Sequence, residues 1–285
     1  MRARLNNITI ARVFPRQTSM SPTDKDCYFG EPGLFTPKYD EIHISTVFTW
    51  DIERAKELKH QWELYGKVLI GGPAIDDPGG EFLPGMYMKP GVTITSRGCC
   101  NSCSFCFVPK REGRIRELEI KPGNIIQDNN LLACSKEHIE KVFKMLKTQR
   151  AIEFKGGLDY RLLSDSLIKK LSRLRVKAIW IACDKPNNLK GVIKTIEKLR
   201  AAGFSQAKIF VFCLIGFDQA EEHDRMIRIF NAGGMPFAQL FRSEEPIAYS
   251  KDWKDFNRFW SRPAAYKSAI KNDNIHWGDY ERKNT

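Results

Sequence analysis

Cys99, Cys103 and Cys106 fall within one short stretch, Thr95-Ser96-Arg97-Gly98-Cys99-Cys100-Asn101-Ser102-Cys103-Ser104-Phe105-Cys106, in a C-x3-C-x2-C spacing. The stretch follows Val92-Thr93-Ile94-Thr95, an alternating β-branched run that reads as a strand over 92–96. A loop leaving such a strand can turn three thiolates toward one face of a metal cluster. Thiolates are the usual ligands of iron-sulfur clusters, and a four-iron cluster held by three of them keeps one iron without a protein ligand. An open position of this kind suits reaction, whereas a structural zinc site is closed by four ligands. Cys100 is the available fourth thiol for zinc, but a residue that adjoins Cys99 does not easily point the same way. No second C-x2-C pair or His-x3-His follows, so a zinc knuckle is the alternative and the open cluster is the expectation.

At these residues the chain resembles the radical S-adenosylmethionine (SAM) superfamily, whose mark is C-x3-C-x-aromatic-C, with Phe105 supplying the aromatic. Arg97-Gly98 before the first cysteine resembles the branch that holds cobalamin-dependent radical SAM enzymes and methylthiotransferases. The resemblance implies a 4Fe-4S cluster on Cys99, Cys103 and Cys106, with SAM chelating the unique iron through its amino and carboxylate groups. It also implies a reductant such as flavodoxin or ferredoxin, and reductive cleavage of SAM to a 5'-deoxyadenosyl radical. The fold it implies is α/β: a partial (β/α)6 TIM-like barrel, here preceded by a small degenerate Rossmann-like α/β segment.

The rest of the chain divides accordingly into an α/β segment over 1–90, a barrel over 91–242 and a helical tail over 243–285. In the first segment, 8–14 and 42–48 read as strands, and 51–65 as a helix with Asp51 as its N-cap. Residues 67–70 read as a third strand, while the Pro- and Gly-rich stretch 15–37 reads as a long loop. The D-x-H-x-x-G signature of the resembling branch is absent, and His43 and His60 stand in other contexts. No cobalamin is therefore expected. Pro73 to Pro90 reads as a linker.

From residue 91 onward strands and helices alternate, which argues for a parallel sheet. Strands are expected at 92–96, 124–127, 151–155, 177–183, 208–215 and 237–241. Helices are expected at 136–148, with Ser135 as cap, and at 163–174, 187–202 and 220–232. Barrel chemistry sits at the C-terminal ends of the strands, and the residues there are polar: Asp128-Asn129-Asn130, Lys155-Gly156-Gly157-Leu158-Asp159, Asp184, and Gly216-Phe217-Asp218.

By the resemblance, Asp128 and Asn129 take the place of the motif that receives the methionine amino group. Gly156 and Gly157 let the backbone approach the cofactor. Asp159 and Arg161 are candidates for its polar end, Arg161 through a bidentate grip on a carboxylate. Asp184 is the candidate for ribose hydroxyls, and Ile215-Gly216-Phe217 resembles the segment that packs on adenine. The alternative for each is a turn or helix cap.

Eight cysteines in 285 residues, only three of them grouped with this spacing, exclude a disulfide scaffold. Cys134, Cys183 and Cys213 stand in apolar contexts as core thiols, and Cys27 is the non-cluster cysteine of interest. The N-terminus lacks an apolar leader, and no run approaches the ~20 apolar residues a bilayer span needs. A soluble, cytoplasmic protein that does not enter a membrane is expected. With 46 Lys+Arg against 34 Asp+Glu, the net charge of +12 favours an anionic partner, a nucleic acid or a nucleotide among them. Trp253, Phe256, Phe259 and Trp260 fall at helical spacing, as a helix packed on the barrel would require, with a base-stacking role as the alternative. A zinc-dependent nucleic-acid-binding module and a non-catalytic cluster- or SAM-binding scaffold are the rival functions.

Overall fold

The computed structural model describes residues 4–5, 8–77, 81–243, 245 and 247–271. Residues 78–80 of the expected linker, 272–285 of the expected tail and most of the N-terminal heptad lie outside them. The described chain is mixed α/β with parallel sheets. It forms two compact units, Met1–Ser102 with Cys106–Gly123, and Cys103–Phe105 with Asn124–Thr285.

In the first unit, β1 (Arg4–Leu5), β2 (Ile8–Phe14), β3 (Cys27–Phe29), β4 (Glu41–Ser45) and β5 (Lys67–Gly71) form one sheet in the order β1-β2-β4-β5, with β3 also on β2. All pairings are parallel except β1 with β2. The helix α1 (Ile52–Trp62) buries Ala55, Leu58 and Trp62 against Ala11, Val13, Ile42 and Ile44.

Two expectations need correction here. The stretch 15–37 is not all loop, because Cys27-Tyr28-Phe29 pairs with Arg12-Val13-Phe14; three residues are too few to show alternation. Asp51 does not cap α1 with its side chain. Its carboxylate accepts instead from Arg16 Nε at 3.0 and 2.8 Å, an ion pair that outcompetes a neutral amide donor. His43 is bound between Glu41, with Nε2 at 2.9 Å from the carboxylate, and the Tyr87 hydroxyl. Arg12, 2% exposed, donates to the carbonyls of Met86 (2.9 Å) and Gly85 (3.1 Å) and pairs with Asp24.

The expected strand 92–96 is two short strands, β6 (Val92–Thr93) and β7 (Ser96–Arg97). After the short helix α2 (Val108–Arg111), β8 (Arg116–Glu117) pairs antiparallel with β7, Ser96 facing Glu117 and Arg97 facing Arg116. Leu118 N–H also donates to Thr95 O at 2.9 Å. The run from Val92 to Ser96 is buried throughout, and it is this returning segment that interrupts the strand.

In the second unit, β9 (Ile125–Ile126), β10 (Ile152–Phe154), β11 (Val176–Ala182), β12 (Ile209–Ile215) and β13 (Met235–Leu240) are parallel and lie side by side in chain order. The connecting helices are α3 (Lys136–Leu146), α4 (Asp165–Leu171), α5 (Leu189–Ala201) and α6 (Gln219–Asn231). Ser135 Oγ accepts from His138 N–H at 3.1 Å, as expected of a cap. Parallel crossovers are right-handed, so steps that always move the same way put the connecting helices on one face.

Strand β12 records this asymmetry: Ile209, Val211, Cys213 and Ile215 are fully buried, while Phe210, Phe212 and Leu214 on the opposite face are partly exposed. Trp180 of β11 stacks there on Phe210 and Phe212, centroids 4.5 and 4.4 Å apart. In α7 (Lys251–Trp260) and α8 (Pro263–Lys271), Phe256, Phe259, Trp260 and Tyr266 are buried. Tyr266 reaches Met235 of β13, and Trp260 packs on His223 of α6 at 5.4 Å.

Candidate functional site

The strand ends of the second unit are laced together by the residues expected to be functional and by two that were not expected. After β10 the backbone presses against the end of β9. Gly156 N–H donates to Ile126 O at 3.0 Å, and a Cβ on Gly156 would lie 2.0 Å from Asp128 O. Asp128 itself is 1% exposed. Gly157 takes φ +93°, and Leu158 N–H then donates to Trp180 O at 2.7 Å, tying the same loop to β11. Asp128, Gly156 and Gly157 are thus brought together at adjacent strand ends, with Asn129 in the same turn.

Asp159 and Arg161 follow as a local pair. Arg161 donates through Nε to Asp159 Oδ1 (2.8 Å) and through Nη2 to Oδ2 (2.6 Å). The bidentate fork of Arg161 therefore grips its own neighbour, and that bond raises the guanidinium pKa further.

Asp184 and Gly216 stand at the ends of β11 and β12, and a buried arginine from α6 joins those ends. Arg225, 2% exposed, donates to Cys183 O (2.9 Å) and Leu214 O (3.0 Å). Burial raises the Asp184 carboxyl to about 6, against the opposing pull of the Leu214 amide, Arg225 and Lys185. Three residues earlier on α6, Glu222 is 1% exposed and accepts from the amides of Gly216 (3.1 Å), Phe217 (3.1 Å) and Asp218 (3.4 Å).

Sequence reasoning missed Glu222 and Arg225. The signal was present: both sit on the helix face that carries Met226 and Ile229, where a charge is costly unless it is satisfied. Two lysines complete the surroundings. Lys155 Nζ lies 4.2 Å over the Trp180 ring, and Lys185 Nζ lies 5.8 Å over Phe105, the aromatic of the cysteine motif.

In the first unit the approach to the cysteine loop is fixed by backbone geometry. Gly98 takes φ +80°, and a Cβ there would lie 2.2 Å from Arg114 O. Cys99 N–H donates to Gly113 O at 3.2 Å, and Arg97 pairs at 3.3 Å with Glu112, whose side chain is 7% exposed. Gly98 is thus the residue that lets the loop pass beneath 113–114 before its first cysteine.

All eight cysteines carry thiols. Cys99 and Cys103 are partly buried, and Cys100 and Cys106 are exposed. Asn101 N–H points at Cys99 Sγ at 3.4 Å, the kind of amide-to-sulfur bond that stabilises a cluster thiolate. Among the described residues no three His, Cys, Asp or Glu side chains are gathered as a metal would gather them. The donor set nevertheless has the chemistry of an iron-sulfur site: soft thiols, partly exposed, on one short loop. The thiols of Cys27, Cys183 and Cys213 do not. Burial raises Cys183 to about 12 and Cys213 well above its ordinary value, and raises Cys27 to about 11.

A scan against protein-family models and a search of curated proteins both return no match.

Proposed function

We propose that this protein is a radical SAM enzyme. The observation that carries the reading is the C-x3-C-x-F-C loop whose approach, through Gly98, is pinned by backbone contacts that leave no room for a side chain. Cys99, Cys103 and Cys106 would hold a 4Fe-4S cluster, and SAM would complete it. When bound, that pair supplies an electron and a 5'-deoxyadenosyl radical able to take a hydrogen atom from a substrate.

The chain's own residues bind and orient. Asn129, in the turn beside buried Asp128, would present an oxygen acceptor to an ammonium group. Gly156 and Gly157 keep that turn narrow. Asp184, at about 6, is poised to accept hydroxyl hydrogen bonds when ionised and to donate one when protonated. Glu222 fixes the Gly216 turn. Asp159 and Arg161 contribute as a pair whose charges offset one another.

The chain-order parallel sheet supports a partial (β/α)6 barrel as the architecture behind this reading. No helix among the described residues is long and apolar enough to cross a membrane. Work in the cytoplasm with a flavodoxin- or ferredoxin-like reductant is part of the same proposal.

The test is anaerobic reconstitution with iron and sulfide, then incubation with SAM and dithionite. Wild type should release 5'-deoxyadenosine and methionine, and Cys103→Ala should release neither. A protein that binds SAM without cleaving it would be a scaffold, and one that retains only zinc would overturn the reading.

A further inference from the structure

The second unit carries an exposed aromatic ledge that begins at Phe217, at the edge of the Ile215-Gly216-Phe217 segment likened to an adenine-packing one, and extends away from it. Phe217, two residues beyond β12, is 65% exposed, and its ring lies 5.5 Å from that of Phe241, immediately beyond β13. The two strand ends are locked together, since Phe241 N–H donates to Ile215 O at 2.8 Å. The backbone that carries this exposed ring is held as well, since the Phe217 amide donates to Glu222 at 3.1 Å.

Tyr249 closes one end of the ledge. Its hydroxyl donates to Phe241 O at 3.0 Å and lies 2.6 Å from where a Cβ on Gly216 would be. Burial raises the pKa of the Tyr249 hydroxyl, and Arg242, exposed and next to Phe241, opposes that rise. The carboxylate adjoining Phe217 is committed elsewhere: Asp218 caps α6 through the amides of Ala220 (3.0 Å) and Glu221 (3.1 Å). Beyond Tyr249, Trp253 packs edge-on at 6.3 Å, and exposed Lys254 and Arg258 follow one helical turn apart on α7.

One exposed ring beside partly exposed ones, flanked by cations, matches one ligand chemistry well: unpaired bases, which stack on any π-face, joined by phosphates that need positive charge. We propose that this ledge binds single-stranded nucleic acid, with a base on Phe217 and Phe241 and the backbone running past Arg242 toward α7. The inference deepens the proposed function by naming its substrate class, and it rests on that reading only for what happens after binding.

The test is fluorescence anisotropy with short labelled single strands of mixed sequence, RNA and DNA, titrated into the full chain before and after cluster reconstitution. A duplex, heparin, a mononucleotide and SAM serve as competitors. Wild type should bind the single strand and prefer it to the duplex. Phe217→Ala should weaken binding about tenfold with the salt dependence unchanged, because stacking is lost and no charge is. Phe217→Leu, which keeps the bulk and loses the π-face, should behave the same way and guards against misfolding of the first variant. Arg242→Gln should weaken all sequences alike and lower the salt slope by about one.

The proposal is overturned if wild type does not bind single strands, if Phe217→Ala and Phe217→Leu bind as wild type does, or if heparin competes as well as a strand does. Displacement of the strand by SAM or by a mononucleotide would overturn it too, since the ledge would then be a nucleoside pocket. The two readings fail separately: Cys103→Ala should keep strand binding while losing 5'-deoxyadenosine, and a wild type that binds strands but never cleaves SAM sinks only the enzymatic one.

Discussion

Glu222 Oε1 lies 3.1 Å from the amide nitrogen of Gly216, so a carboxylate with 1% exposure closes the turn at the end of β12. Removing it leaves the amides of Gly216, Phe217 and Asp218 without their acceptor. Glu222→Ala should therefore destabilise the protein by about 3 kcal/mol, the scale expected for buried hydrogen bonds to a charged group. Glu222→Gln, which keeps one acceptor oxygen, should cost less. Urea unfolding checks this through a lower midpoint at constant slope.

Gly156 and Gly157 are adjacent but should respond differently to alanine. A Cβ on Gly156 meets the backbone oxygen of Asp128 at 2.0 Å, whereas on Gly157 the nearest atom is Trp180 O at 3.9 Å and only the positive φ of +93° opposes it. Gly157→Ala should cost about 1–2 kcal/mol, as a left-handed conformation does for an L-residue. Gly156→Ala should cost more, because two backbones must separate. Thermal melts of the two variants, measured side by side, give the order.

Asp184 makes stability depend on pH in a defined direction. Folding raises its pKa from an ordinary ~3.9 to about 6, so between those values the folded state binds more protons than the unfolded. Its contribution is fully present below the lower value and is lost as pH rises through the upper one. Asp184→Asn should thus melt higher than wild type at pH 8, and the difference should shrink steadily toward pH 4. A difference that does not change with pH would contradict the assignment.

Gly98→Ala should disturb the cysteine loop without unfolding the chain, because its Cβ would strike Arg114 O at 2.2 Å next to the two-stranded β7–β8 ladder, which is separate from both larger sheets. Iron retained after reconstitution and desalting should fall well below that of wild type, while far-UV circular dichroism stays the same.

Much of the second unit was legible in the sequence because its signals are periodic. The runs at 177–183 and 208–215 alternate or are apolar throughout, and they lie where β11 and β12 form. Ser135 as a helix cap was equally plain, since a cap is a local event. What stayed hidden depends on contacts distant in sequence. β3 is three residues inside a Pro- and Gly-rich stretch and becomes a strand only because β2 is beside it. Asp51 looked like a cap until Arg16, thirty-five residues earlier, took its carboxylate. The strand expected at 92–96 is divided because residues 116–118 return to bond with it.

At the candidate site, the polar strand ends could be read one by one, but the residues that organise them could not. The spacing of Glu222 and Arg225 with Met226 and Ile229 marks a buried helix face but not the partners, and only the fold shows one holding the Gly216 turn and the other bonded to Cys183 O and Leu214 O. The pairing of Arg161 with Asp159 is a matter of rotamers, which spacing does not specify.

The central claim is that Cys99, Cys103 and Cys106 hold a cluster with one iron left for SAM, and electron paramagnetic resonance tests it most directly. Protein reconstituted anaerobically and reduced with dithionite should show a 4Fe-4S signal that changes on adding SAM, with about four irons bound per chain, and Cys103→Ala should show neither signal nor iron. A wild-type signal indifferent to SAM, or a colourless protein that takes up no iron, would contradict the account.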